Sequence, residues 1–182
     1  TGSLLFTWLP ILFSFLFDFT LTAHIAAAIT AVCLILLFFR RFRPKMEYKK
    51  RNFTAPHILF FLCFAAFMGF FGYLLHTHTL LPGENDGLFT GQSTYGDMNM
   101  HLGFITSLAT THTFPPEYSI FPGTRLSYPF LCDSCSSSLL LLGSSLRLAY
   151  ILPMLFAMGQ IFCIVYLTAL NFTKSHAKGI LT

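Results

Sequence analysis

Charge is what this sequence has least of. Aspartate, glutamate, lysine and arginine make up 10% of its 182 residues, against about 25% in an ordinary soluble domain. Acidic groups are the scarcer kind, 7 against 11 basic ones. No repeat of solenoid period and no low-complexity linker is present, which argues against a repeat array or a disordered tether. The first apolar run has neither a basic lead-in nor a small-residue cleavage pattern, so no signal peptide can be argued from it. The abundant material is apolar: 54% of residues are hydrophobic and 23 are phenylalanine. A chain of this size could not hide so many large side chains and keep a polar surface. The expectation is an all-α integral membrane protein, a helical bundle. Thr1 at the start and the apolar turn of "KGILT" at the end suggest a piece of a longer polypeptide.

A helix needs roughly 20 mostly apolar residues to cross the hydrocarbon core. Runs 3–17 and 21–39 are separated only by Asp18, Phe19 and Thr20, so residues 1–39 are expected as a tight hairpin or as one long bent helix. A third run, 56–75, opens with Pro56, a residue suited to a first helical turn, and places a crossing at 54–76. The fourth, 146–170, is long enough to tilt, with Pro153 as a possible kink, and places a crossing at 147–171. The run 136–146 is too short to span.

Basic residues near membrane ends favour the cytoplasm. Seven of the 11 lie in "RRFRPKMEYKKR", 40–51, while Lys174 and Lys178 follow the fourth run. Segments 40–53 and 172–182 are therefore expected inside and the loop 77–146 outside. Six acidic residues (Asp18, Glu84, Asp86, Asp97, Glu117, Asp133) lie away from the basic segment. The net charge of +4 is concentrated at one membrane end, which points to anionic lipid headgroups and away from nucleic acid.

The polar loop carries the chemistry. "PGENDG", 82–87, is turn chemistry. From Asp97 to about Thr111, Leu102, Ile105, Leu108 and Ala109 recur at helical spacing, which predicts a surface-lying amphipathic helix. Prolines and glycine in "FPPEYSIFPG" break regular structure, and a second short helix is expected from about Ser134. Asp97 and His101, four apart, would share a helix face. That spacing suits a shared metal ion or a carboxylate orienting an imidazole; it equally suits Asp97 as a helix cap. His112 and Glu117 could extend a metal shell, though no compact zinc signature is present. Arg125, with Tyr118 and Tyr128 nearby, could grip a phosphate or form a surface ion pair.

"CDSC", 132–135, lacks the strand–helix setting of a thioredoxin-type pair. Its cysteines read as packing residues or an incidental bridge, and Asp133 as a helix start. Cys33, Cys63 and Cys163 lie within apolar runs, and the remaining histidines mostly near run ends.

The order of an apolar span, "YGDMNMHLGFITSLA", "FPPEYSIFPG…SYPF", a short apolar helix and a second span resembles the bacterial multi-spanning proteins related to GT-C glycosyltransferases, over roughly residues 56–171. The resemblance implies a sugar on a polyprenyl phosphate as donor and an acidic residue near the start of the outward loop as base or metal ligand. Asp97 is the position that would inherit that role, with His101 beside it and a divalent cation, Mg or Mn, as the implied cofactor. Arg125 would meet the phosphate, and Glu117, Tyr118 and Tyr128 the sugar. The other readings are a transporter component, disfavoured by the near absence of ionisable groups in the runs, and a non-catalytic membrane scaffold.

Overall fold

A computed structural model describes residues 2–42, 54–91 and 95–180. The chain is all-α: helices α1 (Gly2–Phe17), α2 (Leu21–Phe42), α3 (Ala55–His78), α4 (Tyr95–Thr111), α5 (Leu131–Leu141), α6 (Leu146–Thr173) and α7 (His176–Ile180) alternate with one small two-stranded element. Strands β1 (Leu80–Pro82) and β2 (Leu88–Thr90) pair antiparallel with Leu81 opposite Phe89. The basic loop expected at 40–53 falls mostly outside the described residues.

Among the described residues, α2, α3 and α6 are long and apolar enough to cross a membrane. At 1.5 Å per residue they measure about 33, 36 and 42 Å, against a hydrocarbon core of about 30 Å. Helix α6 continues through Pro153, because the residues around it are helical enough to absorb one missing backbone donor. Large side chains along α2, among them Ile29, Val32, Leu36, Leu37 and Phe39, stand more than half exposed. Apolar exposure on that scale fits lipid as the surrounding solvent. These features define a membrane protein of transmembrane helices.

The chain divides into two compact units, Thr1–Met46 with Ser93–Tyr150, and Glu47–Gln92 with Ile151–Thr182. In the second unit, α3 and α6 meet through aromatic rings. Phe162 stands 5.7, 5.6 and 5.0 Å from Phe60, Phe64 and Phe67. After α6 the backbone reverses at Lys174, φ 52°, and α7 folds back so that Gly179 is buried. A Cβ there would come within 3.3 Å of the Tyr166 ring. Tyr166 also shares a 2.7 Å hydrogen bond with His176 Nδ1.

In the first unit the two N-terminal runs form a hairpin, not one bent helix. Asp18 takes a left-handed conformation, φ 55°, which aspartate tolerates better than most side chains. The turn is bolted to the segment after α4. Phe19 N donates to His112 O at 2.8 Å, Phe114 N to Asp18 Oδ1 at 3.1 Å, and His112 Nδ1 to Phe19 O at 3.2 Å. Phe19 is fully buried and packs with Ile11, Leu108 and Phe114. Helix α5 begins at Leu131, three residues before the expected start, and buries Asp133, Ser134, Ser136, Ser137 and Ser138. Small polar residues of this kind let apolar helices approach closely and bond across the contact.

Candidate functional site

Helix α4 builds one wall of the site. Met98, Ile105 and Leu108 form its buried stripe, and His101 sits in register with them at three- and four-residue spacing. The imidazole therefore turns toward α5. There Asp133, in the first turn, presents its carboxylate to His101 Nδ1 at 2.9 Å (Oδ2) and 3.2 Å (Oδ1). A carboxylate only accepts, so Nδ1 carries the proton and Nε2 is left as the basic nitrogen of the neutral ring. The His101 side chain is 29% exposed and that of Asp133 10%. A buried group holds the ring and a half-open one faces out. Burial pushes the Asp133 carboxyl above its ordinary value, and His101 offsets part of that rise.

Two aromatic rings flank the imidazole. Tyr128 lies 5.7 Å and Phe104 6.2 Å from His101, centre to centre, and Phe104 stands 5.6 Å from Tyr118 and 5.7 Å from Tyr128. The loop can lie this close to α4 because residue 103 is a glycine. A Cβ there would come 2.9 Å from Ser119 Oγ.

The structure brings together His101, Tyr118 and Tyr128, but the carboxylate beside His101 is Asp133, 32 residues away. Asp97 lies exposed in the first turn of α4, where a negative charge complements the helix dipole. Glu117 braces a turn: its Oε2 accepts from Gly123 N at 3.3 Å and its backbone bridges to Arg125. Arg125 is exposed. His112 spends its Nδ1 on Phe19 O. Among the described residues, no three His, Cys, Asp or Glu side chains converge to hold a metal ion. The Asp97–His101 pair thus has no third ligand from this set.

Sequence reasoning missed Asp133 as a partner, reading it only as a helix start, and missed His24. The latter is buried in α2, with Nδ1 donating to Thr20 O at 2.7 Å and Nε2 2.9 Å from Ser138 Oγ on α5. One signal was available for each: a titratable residue inside an otherwise small or apolar helical stretch needs a partner. Cys132 and Cys135 are free thiols, and burial pushes the Cys135 thiol up. Between α1 and α2 lies an apolar groove of 380 Å³ lined by Leu5, Phe6, Pro10, Ala28, Ala31 and Ile35.

The fold and this site define a helical membrane protein with a carboxylate-oriented histidine at the edge of an aromatic cluster. Comparison with protein families, with curated proteins and with solved structures finds no match for the chain.

Proposed function

We propose that the chain is part of a membrane glycosyltransferase of GT-C type, which moves a sugar from a polyprenyl phosphate to an acceptor outside the cytoplasm. The observation that carries this reading is the Asp133–His101 pair beside Phe104, Tyr118 and Tyr128. His101 Nε2 takes the proton of an acceptor hydroxyl while Asp133 stabilises the imidazolium that forms. The hydroxyl oxygen attacks the anomeric carbon, the bond to the donor phosphate oxygen breaks, and the polyprenyl phosphate leaves with the electron pair. In-line attack inverts the anomeric centre. Tyr118 and Tyr128 offer apolar faces and hydroxyl groups to the sugar. Asp97, on the same helix, remains the second carboxylate candidate, as base or as ligand for a divalent cation. Arg125 is the guanidinium candidate for the phosphate, and Glu117 acts through the turn it braces.

The outward placement of the loop finds support in the hairpin. Helix α2 starts next to the 112–114 segment and carries Arg40 and Arg41 in its last turn, so that segment and the two arginines lie at opposite ends of one long helix. The test uses membranes carrying the full-length protein and a labelled polyprenyl-phosphate sugar. Transfer should fall by about 10²-fold or more for His101→Ala and Asp133→Asn, the usual scale for general-base removal. Undiminished transfer by both variants sinks the mechanism.

A second reading, a non-catalytic scaffold, draws on the burial of Asp133, since the same pair ties α4 to α5. Under it His101→Ala lowers stability while the membranes of the parent protein transfer no sugar.

A further inference from the structure

The turn at 116–126 holds two large apolar side chains at its tip, and both stand largely uncovered by the described residues. Ile120 is 65% and Phe121 67% exposed, whereas Phe114 nearby in the same loop is buried and Leu126 and Phe130 are half-buried. The tip is not slack. Tyr118 N donates to Thr124 O at 2.8 Å, Leu126 N to Pro116 O at 2.9 Å, Phe121 N to Tyr118 O at 3.0 Å, and Thr124 Oγ1 to Phe121 O at 2.7 Å. Gly123 closes it with φ 84°, a conformation that glycine adopts without strain. The entropy of presenting Ile120 and Phe121 is thus largely spent in the fold itself.

Three observations say what covers them. The base of this arm, Phe114, is hydrogen-bonded to Asp18 in the α1–α2 turn, and α2, which starts three residues later, is one of the helices fit to cross a membrane. The arm therefore starts at the level where a spanning helix leaves the hydrocarbon. Phe121 is seven residues beyond Phe114, a reach of at most about 25 Å, enough to return to the headgroup boundary. The arm is neutral overall, with one carboxylate and one guanidinium: Glu117 is folded back onto Gly123 N, while Arg125 stands exposed one strand away as the group that can meet a phosphate. A guanidinium beside aromatic and aliphatic tips is the composition that settles at an anionic bilayer surface.

We infer that Ile120 and Phe121 form a wedge that inserts into the acyl–headgroup boundary of the bilayer, with Arg125 at the level of the lipid phosphates, the level at which the phosphate of a polyprenyl donor would also lie. The wedge fixes the height of the 114–130 loop, and with it Tyr118 and Tyr128, relative to the membrane. This inference does not depend on the glycosyltransferase reading, and its test measures no transfer.

The chain has a single tryptophan, Trp8, so the full-length protein with any other tryptophans and Trp8 replaced by phenylalanine, and Phe121→Trp added, reports from the tip alone. It is reconstituted in phosphatidylcholine vesicles with and without phosphatidylglycerol, with bromines placed on the upper acyl carbons. The expected result is that brominated lipid removes most of the emission, acrylamide in the water removes little, and quenching by lipid is stronger in the anionic vesicles. Arg125→Gln should abolish that last difference. Emission quenched by acrylamide but not by bromine puts the tip in water and overturns the inference. Emission quenched by neither means that protein covers the tip, which overturns it equally. Circular dichroism unchanged from the parent shows that the variant is folded, and Ile120→Trp in the same background gives an independent second probe.

Discussion

Asp133 links a local electrostatic fact to a measurable one. Its carboxyl titrates above 3.8 in the folded chain, burial outweighing the neighbouring imidazole. The folded state therefore holds this proton more tightly than the unfolded state does. Stability from this group is present in full below 3.8 and is lost as pH rises from there through the folded value. Thermal unfolding in detergent, followed by circular dichroism across that window, should show the midpoint falling with pH, and Asp133→Asn should remove the slope. Removing the partner acts differently. His101→Ala leaves a buried carboxylate with one fewer donor, at a cost of about 1–3 kcal/mol. Of this pair the sequence offered only one half, because helical spacing relates residues three or four apart. A contact between positions 101 and 133 is written in the packing of two helices.

Elements were more legible than pairs. The apolar runs marked α2, α3 and α6 because a bilayer-length helix leaves a compositional trace that no other element imitates. Helix α4 was legible from its period. Strands of three residues, β1 and β2, are too short for alternation to show, so the sequence disclosed only the turn between them. The break between α1 and α2 was visible as a polar interruption, yet its geometry rests on one residue. Asp18 both accepts a left-handed backbone and receives the Phe114 N–H. Asp18→Asn keeps both properties and should be nearly silent. Asp18→Gly keeps the backbone and loses the acceptor, while Asp18→Ala loses both. The unfolding midpoints should rank in that order, with alanine costing roughly 2–3 kcal/mol from left-handed strain and the lost bond together.

For the whole molecule, composition alone gave the class: a chain so poor in charge is built for lipid. The proposed side of the membrane rests on the basic residues of the sequence and on the contact between residues 18 and 114. In a background with the native cysteines replaced by alanine, Thr20→Cys and Thr113→Cys should react with an impermeant maleimide from the same side of sealed vesicles. Phe42→Cys should react only from the other. Labelling of residues 20 and 42 from one side would mean that α2 does not cross.

The bolt between Phe19 and His112 also sets a timetable. A ribosome releases the hairpin long before it makes the segment that locks it, and at 5–20 residues per second the gap of 93 residues lasts on the order of 5–20 seconds. Throughout that wait the Asp18 carboxylate and the His24 ring edge lack their later partners. The hairpin is thus synthesised early and completed late, the polar contacts of its turn made only when residues 112–114 arrive.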